Sequence, residues 1–383
     1  METTAMNARH IHAVLLSVFA VVLMLYSMNS SDGMIGLGGM VEADEEIILH
    51  RYHSRNKKAK IERAQLREMD IVEEFNSDPL PNRTDLRSAD EMCANSSDFF
   101  CIPALRNFET ELRVCFGNFL VQNYEVVVQV APKYKVSTCV VQKSMSTVMT
   151  AIFCYLFNED EFQQAGRELL KETKRTRFCE NRNEARSMRS LRWRFGIRNG
   201  DGWIHTMVTR DPVDRFLSGF VDKCIRCRLL SWKMPLPGDY CNGCKANMTC
   251  FIIKEYERMV SEVKKDRFTR TFEDRHFFPQ NWRCELSKHL KQRRFIRYSS
   301  NATDTLLLDL FGILAQQKVE NSTLDFIRGE LTTGRTPHST VKSYARSFLE
   351  ERLRSSAFLM EYIVRMFYYD FKILHYDFPI GFK

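Results

Sequence analysis

The 383-residue sequence contains no internal repeat and no low-complexity tract. The first absence excludes a solenoid or another repeat architecture, and the second excludes a chain dominated by disordered polar sequence. Hydrophobic residues make up 44% of the chain, which is enough to bury a full core. This length favours one large domain or two small domains over a string of modules. We therefore expect a globular protein that carries additional segments.

One long apolar run lies near the N-terminus, from Ile11 to Met28. Its eighteen residues contain no Asp, Glu, Lys or Arg and are just sufficient to cross a bilayer. Arg9 precedes the run and acidic residues follow it, which places the N-terminus in the cytoplasm. A cleaved signal peptide is the alternative, although its apolar core usually has only about 7 to 15 residues. The sequence predicts a cytoplasmic tail (1–10), a single-pass type II signal anchor (11–28) and a lumenal remainder.

Cysteine is abundant, and the even number of twelve residues is typical of a disulfide framework in an oxidising lumen. Sequons for N-glycosylation agree with this compartment and lie at Asn29, Asn82, Asn95, Asn247, Asn301 and Asn321. The formal net charge of +8 is compatible with nucleic acid, anionic lipid or a polyanionic substrate. A lumenal location excludes nucleic acid and leaves an acidic glycan as the candidate partner, with an ordinary solvated surface as the alternative.

The region from 29 to 90 has the composition of a stem, with glycines followed by a highly charged stretch. One exposed helix is expected there, around Ala59 to Phe75. The pattern of a packed domain begins near Cys93, so we expect a single folded domain over 91–383.

Strand and helix patterns alternate within this domain. Short β-branched runs predict strands at Val126 to Val130, Lys135 to Val141, Trp203 to Thr209 and Phe295 to Tyr298. Helical spacing of apolar residues predicts helices at Val148 to Phe157, Val213 to Lys223 and throughout Ser343 to Tyr369. The alternation favours an α/β fold with a mainly parallel sheet and helices on both faces.

The loop from Gln142 to Thr147 joins a predicted strand to a predicted helix. Backbone N–H groups at such a helix start attract anions, and Lys143, Ser146 and Thr147 add a charge and two hydroxyls. The loop lacks the glycines of a Walker A motif. A Ser-Thr pair at the start of a core helix is the alternative interpretation.

A second segment has the pattern Arg210-Asp211-Pro212-x-x-Arg215-x-x-Ser218. It places the Arg210 guanidinium at a strand end and Ser218 about two helical turns later on the same side, where both could hold one phosphate. Pro212 is suited to the first turn of the helix. Two anion sites on adjacent strand ends fit a nucleotide with phosphates at both ends.

A third block contains His276, Pro279-Gln280 and Cys284. With these three blocks in order, the sequence from Ala131 to Tyr298 resembles the Golgi carbohydrate sulfotransferases of the chondroitin, dermatan and HNK-1 type (sulfotransferase family 2). In that family the first loop binds the 5′ phosphosulfate end of 3′-phosphoadenosine 5′-phosphosulfate (PAPS), and the Arg-Asp-Pro segment binds its 3′ phosphate.

The resemblance implies a role for each matching residue. Lys143, Ser146 and Thr147 would bind the 5′ phosphosulfate end, and Arg210 and Ser218 the 3′ phosphate. It also implies a three-layer, P-loop-like sulfotransferase fold with PAPS as co-substrate and no metal. The implied activity is O-sulfation of a glycan or proteoglycan acceptor, chondroitin-type acceptors preferred, by an enzyme of the Golgi membrane.

His276 is the candidate general base, because imidazole titrates in the range that a Golgi base needs. A purely structural role for His276 is the alternative, with Glu273 and Asp274 as the next candidates. Lys143 would stabilise the leaving phosphate. His205 lies inside an apolar strand pattern and is expected in the core, whereas His338 is a candidate substrate or nucleotide contact.

Cys224-x-x-Cys227 and Cys241-x-x-Cys244 have the spacing of a zinc ribbon. In an oxidising lumen, disulfides that also use Cys250 and Cys284 are favoured over zinc. The stretches Lys264 to Arg275 and His289 to Arg297 are basic with interleaved aromatic residues. They are either a grip for an acidic glycan or solvated helix faces.

Gln142 and Ser144-Met145 depart from the family pattern, which has proline before the lysine and a small residue after it. This departure motivates a competing hypothesis, a catalytically inactive lumenal glycan-binding protein on the same scaffold. A P-loop kinase acting on sugars is disfavoured, because neither Walker A glycines nor a Mg²⁺-binding motif accompany the loop.

Overall fold

The computed structural model describes residues 62–83, 87–93, 101–104, 128–172, 177–229, 240–264, 273–299, 305–334, 340 and 343–383. Residues 63–383 form one compact unit. The predicted tail and anchor lie outside the described residues. Among the described helices, none has the length and apolar character needed to span a membrane.

Strands form a five-stranded sheet with the order β3-β1-β2-β4-β5. Their bounds are β1 Val128–Ala131, β2 Val136–Cys139, β3 Glu184–Ala185, β4 Ile204–Arg210 and β5 Arg293–Tyr298. The strands β2, β4 and β5 run parallel, with Cys139 opposite Met207 and Arg210 opposite Tyr298. Their carboxyl ends therefore share one edge of the sheet, where α/β proteins commonly bind ligands.

The prediction of a mainly parallel sheet is correct for these three strands and wrong for the other edge. Strand β1 pairs antiparallel with both β2 and β3. Only the turn Pro132–Tyr134 and a left-handed Lys135 (φ 51°) connect β1 to β2. A connection this short makes a hairpin, because parallel neighbours need a crossover of about a dozen residues or more.

Helices surround the sheet. Their bounds are α1 62–76, α2 Ala89–Cys93, α3 Ser146–Tyr155, α4 Glu159–Gln164, α5 Met188–Arg194, α6 Pro212–Phe220, α7 Arg226–Leu229, α8 Met248–Val263, α9 Asp274–Phe277, α10 Leu286–His289, α11 Leu306–Gln316, α12 Asn321–Thr333, α13 Tyr344–Ser355 and α14 Ala357–Ile373. Helix α6 begins at Pro212 as predicted, and the Asp211 carboxylate caps it by accepting the Asp214 N–H at 2.9 Å. A π-helical turn, Val221–Ile225, continues α6.

The C-terminal stretch was predicted to be helical throughout. This prediction is wrong at Ser356, where the stretch is divided. This residue has extended backbone angles (φ −101°, ψ 105°), and its hydroxyl accepts the Leu359 N–H at 3.2 Å. Serine competes for backbone hydrogen bonds in this way and favours the start of a helix over its interior. The result is two helices, α13 and α14, in place of one.

Apolar clusters lie on both faces of the sheet. The neighbouring β4 residues Met207 and Val208 point to opposite faces. Val208 packs in a cluster with α3, α11 and α12, whereas Met207 packs with residues of α5 and α10. A third cluster is built by α6, α8, α13 and α14. The fold is therefore a mixed α/β architecture with a helix-covered central sheet.

The helix expected around Ala59 to Phe75 is present as α1, and it packs on the core. Val72 is fully buried in the cluster that contains α6 and α8. The Asn76 amide donates to the Ala246 carbonyl at 2.9 Å and accepts the Met248 N–H at 2.8 Å. The helix within the expected stem therefore belongs to the compact unit.

Disulfides connect most of the cysteines. The pairs are Cys93–Cys101, Cys139–Cys284, Cys154–Cys179, Cys224–Cys241 and Cys244–Cys250. The preference for disulfides over zinc is thus confirmed for Cys224, Cys241 and Cys244, while Cys227 has a free thiol. Cys284 was expected to pair within this group. It is instead bonded to Cys139 at the end of β2. Cys115 lies outside the described residues.

Candidate active site

The loop after β2 contains two non-glycine residues with positive φ angles. Lys143 (φ 69°) and Met145 (φ 58°) are both left-handed, a conformation that is uncommon outside glycine. Met145 precedes α3, and no side chain in the described part of the chain caps the helix there. The first N–H groups of α3 therefore have no capping side chain among the described residues, and the half-buried Ser146 and Thr147 begin the helix.

Lys143 is held by a carboxylate from the π-helical turn. Its ammonium forms an ion pair with Asp222, which also contacts the Lys223 ammonium at 2.9 Å. Burial lowers the pKa of Lys143 to about 8, and the attraction of Asp222 opposes this decrease. The lysine is thus fixed near the loop at the start of α3, with its charge sensitive to weakly alkaline pH.

Arg210 ends β4 at the same edge of the sheet and is 3% exposed. Its guanidinium lies over the Tyr298 ring, 5.0 Å from the centroid, and donates to the Lys143 carbonyl at 3.2 Å. Burial lowers its pKa from the ordinary value. The structure therefore brings Arg210 to the loop of Lys143. Ser218 is buried on α6, and its role at a shared phosphate stays a prediction.

Gln280 from the third sequence block joins these two segments. Its Oε1 atom accepts the Ser144 hydroxyl at 3.1 Å and the Arg210 N–H at 3.0 Å. Its Nε2 atom donates to the Arg210 carbonyl at 2.7 Å. Asp370 on α14 accepts the N–H groups of Gln280 (2.8 Å) and Asn281 (2.7 Å). We call these five buried residues the Gln280 network.

Arg215 supports the loop from its other side. Its Nε atom donates to the Gln142 carbonyl at 3.1 Å and its Nη1 atom to the Phe278 carbonyl at 3.0 Å. Burial lowers the pKa of Arg215 to about 9. The Gln142 side chain accepts from Arg283 at 3.0 Å, so the residue that departs from the family proline anchors the loop to the third block.

His276 lies on α9 and is 7% exposed. The carboxylates beside it already have structural contacts. Asp274 is fully buried and receives two hydrogen bonds from Arg258, at 2.7 and 2.6 Å. Glu273 accepts the Cys241 N–H at 3.1 Å. The catalytic role of His276 stays a prediction.

His205 agrees with the expected core position. It is buried on β4, and its Nδ1 atom lies 2.7 Å from the Ser137 hydroxyl. Burial, together with the charges of Arg293, Arg192 and His289, lowers its pKa to about 4. The imidazole is therefore neutral under ordinary conditions. His338 lies outside the described residues.

Several residues of this site had no role assigned from the sequence. Gln280 and Arg215 were inside the recognised blocks, and their polar side chains beside apolar neighbours were a usable signal. Asp370 was detectable as an acid within the apolar pattern of the last helix, since a buried acid needs partners. Asp222 also lies among apolar residues, but no local pattern linked it to Lys143, which is 79 positions away.

A helix N-terminus, a lysine and an arginine thus meet where parallel strands end, as in α/β enzymes that hold phosphorylated ligands. The sulfotransferase family model matches residues 128–377. The chain belongs to the sulfotransferase family and is a sulfotransferase. All three recognised blocks fall inside the matched region.

Two relatives from Caenorhabditis elegans extend the similarity beyond this region. Uncharacterized protein C18B2.2 is 44% identical over 316 residues, which are 82% of this chain and 82% of that protein. Carbohydrate sulfotransferase chst-1 is 35% identical over 262 residues, which are 67% of this chain and 77% of that protein. No solved structure gives a significant match.

Proposed function

We propose that the chain is a PAPS-dependent carbohydrate O-sulfotransferase of the Golgi lumen with a preference for chondroitin-type acceptors. The observation that carries the proposal is the Gln280 network, which ties the loop of Lys143 to the strand end of Arg210. Sulfotransferases of this family generally use PAPS. The relative named carbohydrate sulfotransferase chst-1 supports a glycan acceptor.

The residues present fit a nucleotide with phosphates at both ends. The uncapped start of α3, with Lys143, Ser146 and Thr147, is suited to the 5′ phosphosulfate end. The buried guanidinium of Arg210, with Ser218, is suited to the 3′ phosphate. When bound, PAPS supplies an activated sulfuryl group. Lys143 is the donor that neutralises charge on the departing phosphate oxygen.

The proposed reaction is an in-line transfer. His276 accepts the proton of the acceptor hydroxyl while that oxygen forms a bond to sulfur. The bond between sulfur and the 5′ phosphate oxygen breaks, and its electron pair remains on the phosphate. The products are a sulfate ester and 3′-phosphoadenosine 5′-phosphate. Positioning and charge neutralisation by the chain supply the catalysis.

Two features support a lumenal location. The disulfides require an oxidising compartment. Asn82 and Asn321, both in sequons, are exposed. The proposed type II anchor at 11–28 would hold the domain at the Golgi membrane.

The test is transfer of radiolabelled sulfate from PAPS to desulfated chondroitin, dermatan and heparan chains by the full chain in detergent. We expect label on chondroitin and a loss of about 100-fold or more with Arg210→Ala. Arg328→Ala is the matched control, because Arg328 forms an exposed ion pair with Asp325. Retention of full activity by Arg210→Ala would overturn the assignment, and glycan binding without transfer would favour the inactive scaffold.

A further inference from the structure

We propose that the exposed surface around Trp193 is a second binding surface, which holds the anionic chain of the acceptor away from the reacting hydroxyl. The surface consists of Arg189, Arg192 and Trp193 on α5 with Lys288 and Lys291 on the adjacent segment. We call it the Trp193 surface. The inference takes its acceptor class from the proposed function and adds a site outside the Gln280 network.

Trp193 is the clearest sign of an interaction at this place. It is 86% exposed, although Met188 and Leu191 of the same helix are buried. Trp is enriched at interfaces, because its ring is apolar while its N–H needs a polar partner. The flat indole face is suited to the C–H face of a sugar ring, and its N–H can donate to a hydroxyl.

Positive charge surrounds this indole without acidic residues in the flanking sequence. The stretch 186–200 contains five arginines and no Asp or Glu, and the stretch 286–299 contains five Lys or Arg residues and no Asp or Glu. Arg189, one helical turn before Trp193, is exposed, as are Lys288 and Lys291. The combination of one aromatic platform and several cations is complementary to a polyanionic glycan.

The two basic stretches lie side by side in the fold. Arg192 donates to the Gln292 side-chain oxygen at 3.2 Å, and His289 Nδ1 lies 3.2 Å from the same oxygen. Glu285, the acid that immediately precedes the second stretch, is buried and accepts the Met188 N–H at 2.6 Å. The Glu285 carboxylate therefore binds the start of α5 inside the protein. The exposed charged residues of the Trp193 surface are Lys and Arg.

A glycan fits this surface better than a membrane does. A membrane-binding helix needs an apolar face that is free to enter the lipid. In α5 that face is occupied, because Met188 and Leu191 pack in the core with Leu286. A single exposed indole remains, which matches stacking on one sugar ring.

The test measures binding of the full chain to immobilised chondroitin sulfate in the absence of PAPS. We expect Trp193→Ala and Arg189→Ala each to raise Kd about three- to tenfold, while Trp193→Phe retains most of the affinity. Leu308→Ala is the matched control, because Leu308 is 73% exposed on α11. Sulfate transfer to a disaccharide should be unchanged in these variants, whereas KM for long chains should rise with kcat unchanged.

Equal affinity of Trp193→Ala and the unchanged protein, or no binding of chondroitin sulfate at all, would overturn the inference. Tighter Trp193-dependent binding to phosphatidylserine vesicles or to an RNA oligonucleotide would replace the glycan with that partner. Because binding is measured without PAPS, failure of transfer and failure of this surface are separate results. A chain that binds through Trp193 but transfers no sulfate would contradict only the proposed function.

Discussion

The Gln280 network and the Trp193 surface are both polar, but they differ in how their side chains are held. Gln280, Asp370 and Ser144 have no solvent exposure, and each has hydrogen-bond partners inside the protein. Trp193 is 86% exposed, and Arg189 beside it is also exposed. The difference separates a rigid part, suited to positioning reacting atoms, from a solvated part, suited to holding a long and variable chain.

This difference has an electrostatic consequence. Hydrogen bonds in a low-dielectric interior are strong, and leaving one partner unsatisfied is costly. Exposed charges are screened by salt over about 8 Å at physiological ionic strength. Substitutions in the buried part should therefore have large effects that salt barely changes, whereas effects on the surface should be small and sensitive to salt.

Among the buried residues, the largest expected effect comes from the candidate base His276. His276→Ala should lower kcat by about 10²- to 10⁴-fold, because the proton of the acceptor hydroxyl would lose its acceptor. Nucleotide binding, measured by calorimetry with 3′-phosphoadenosine 5′-phosphate, should stay unchanged. His289→Ala is the control, because His289 is a half-buried histidine outside the three sequence blocks. If His276→Ala kept its kcat, the imidazole would have only a structural role.

An intermediate effect is expected when the network is broken at its centre. Gln280→Leu leaves the Ser144 hydroxyl and the Arg210 N–H buried without their acceptor. The free energy of unfolding should fall by about 2 to 4 kcal/mol, as measured by urea denaturation. Gln317→Leu removes a single surface hydrogen bond, to the Gly202 carbonyl, and should cost about 1 kcal/mol or less. Similar losses for the two variants would contradict the rigid character of the network.

The smallest expected effect concerns pH and uses the Lys143–Asp222 pair. Because the pKa of Lys143 is lowered to about 8, sulfate transfer should decrease as the ammonium loses its proton above this pH. Asp222 raises this pKa by its charge, so Asp222→Asn should move the alkaline decrease to lower pH. The pH profile of kcat/KM measures both effects.

The pH dependence of stability should run in the opposite direction to that of sulfate transfer. Between pH 8 and the ordinary lysine pKa of 10.5, the unfolded chain binds the proton that native Lys143 has released. The contribution of this group therefore makes the native state more stable as pH rises through that window. Asp325→Asn is the control, since its carboxylate forms an exposed ion pair. If kcat/KM decreased at the same alkaline pH in Asp222→Asn as in the unchanged protein, the decrease would belong to a group other than Lys143.

The parts that sequence predicts well are those governed by local patterns. The β-branched runs around Val136 and Val208 predicted strands, and Asp211-Pro212 predicted a helix start, because both signals depend on nearby residues. The antiparallel pairing of β1 was missed, since strand direction depends on a short turn at Lys135. Asp370 lies 90 positions from Gln280, and no local pattern specifies such a contact. The three blocks were recognised from the sequence and lie together in the fold, but the contacts that join them belong to the tertiary structure.

The Cys139–Cys284 disulfide connects the end of β2, three residues before Gln142, to the third block, four residues after Gln280. The two halves of the proposed nucleotide site are therefore covalently joined across 145 positions of sequence. During biosynthesis this bond can form only after Cys284 has entered an oxidising compartment. Oxidation of this cysteine pair therefore completes the covalent link between the two segments, and a chain kept in a reducing environment would lack it.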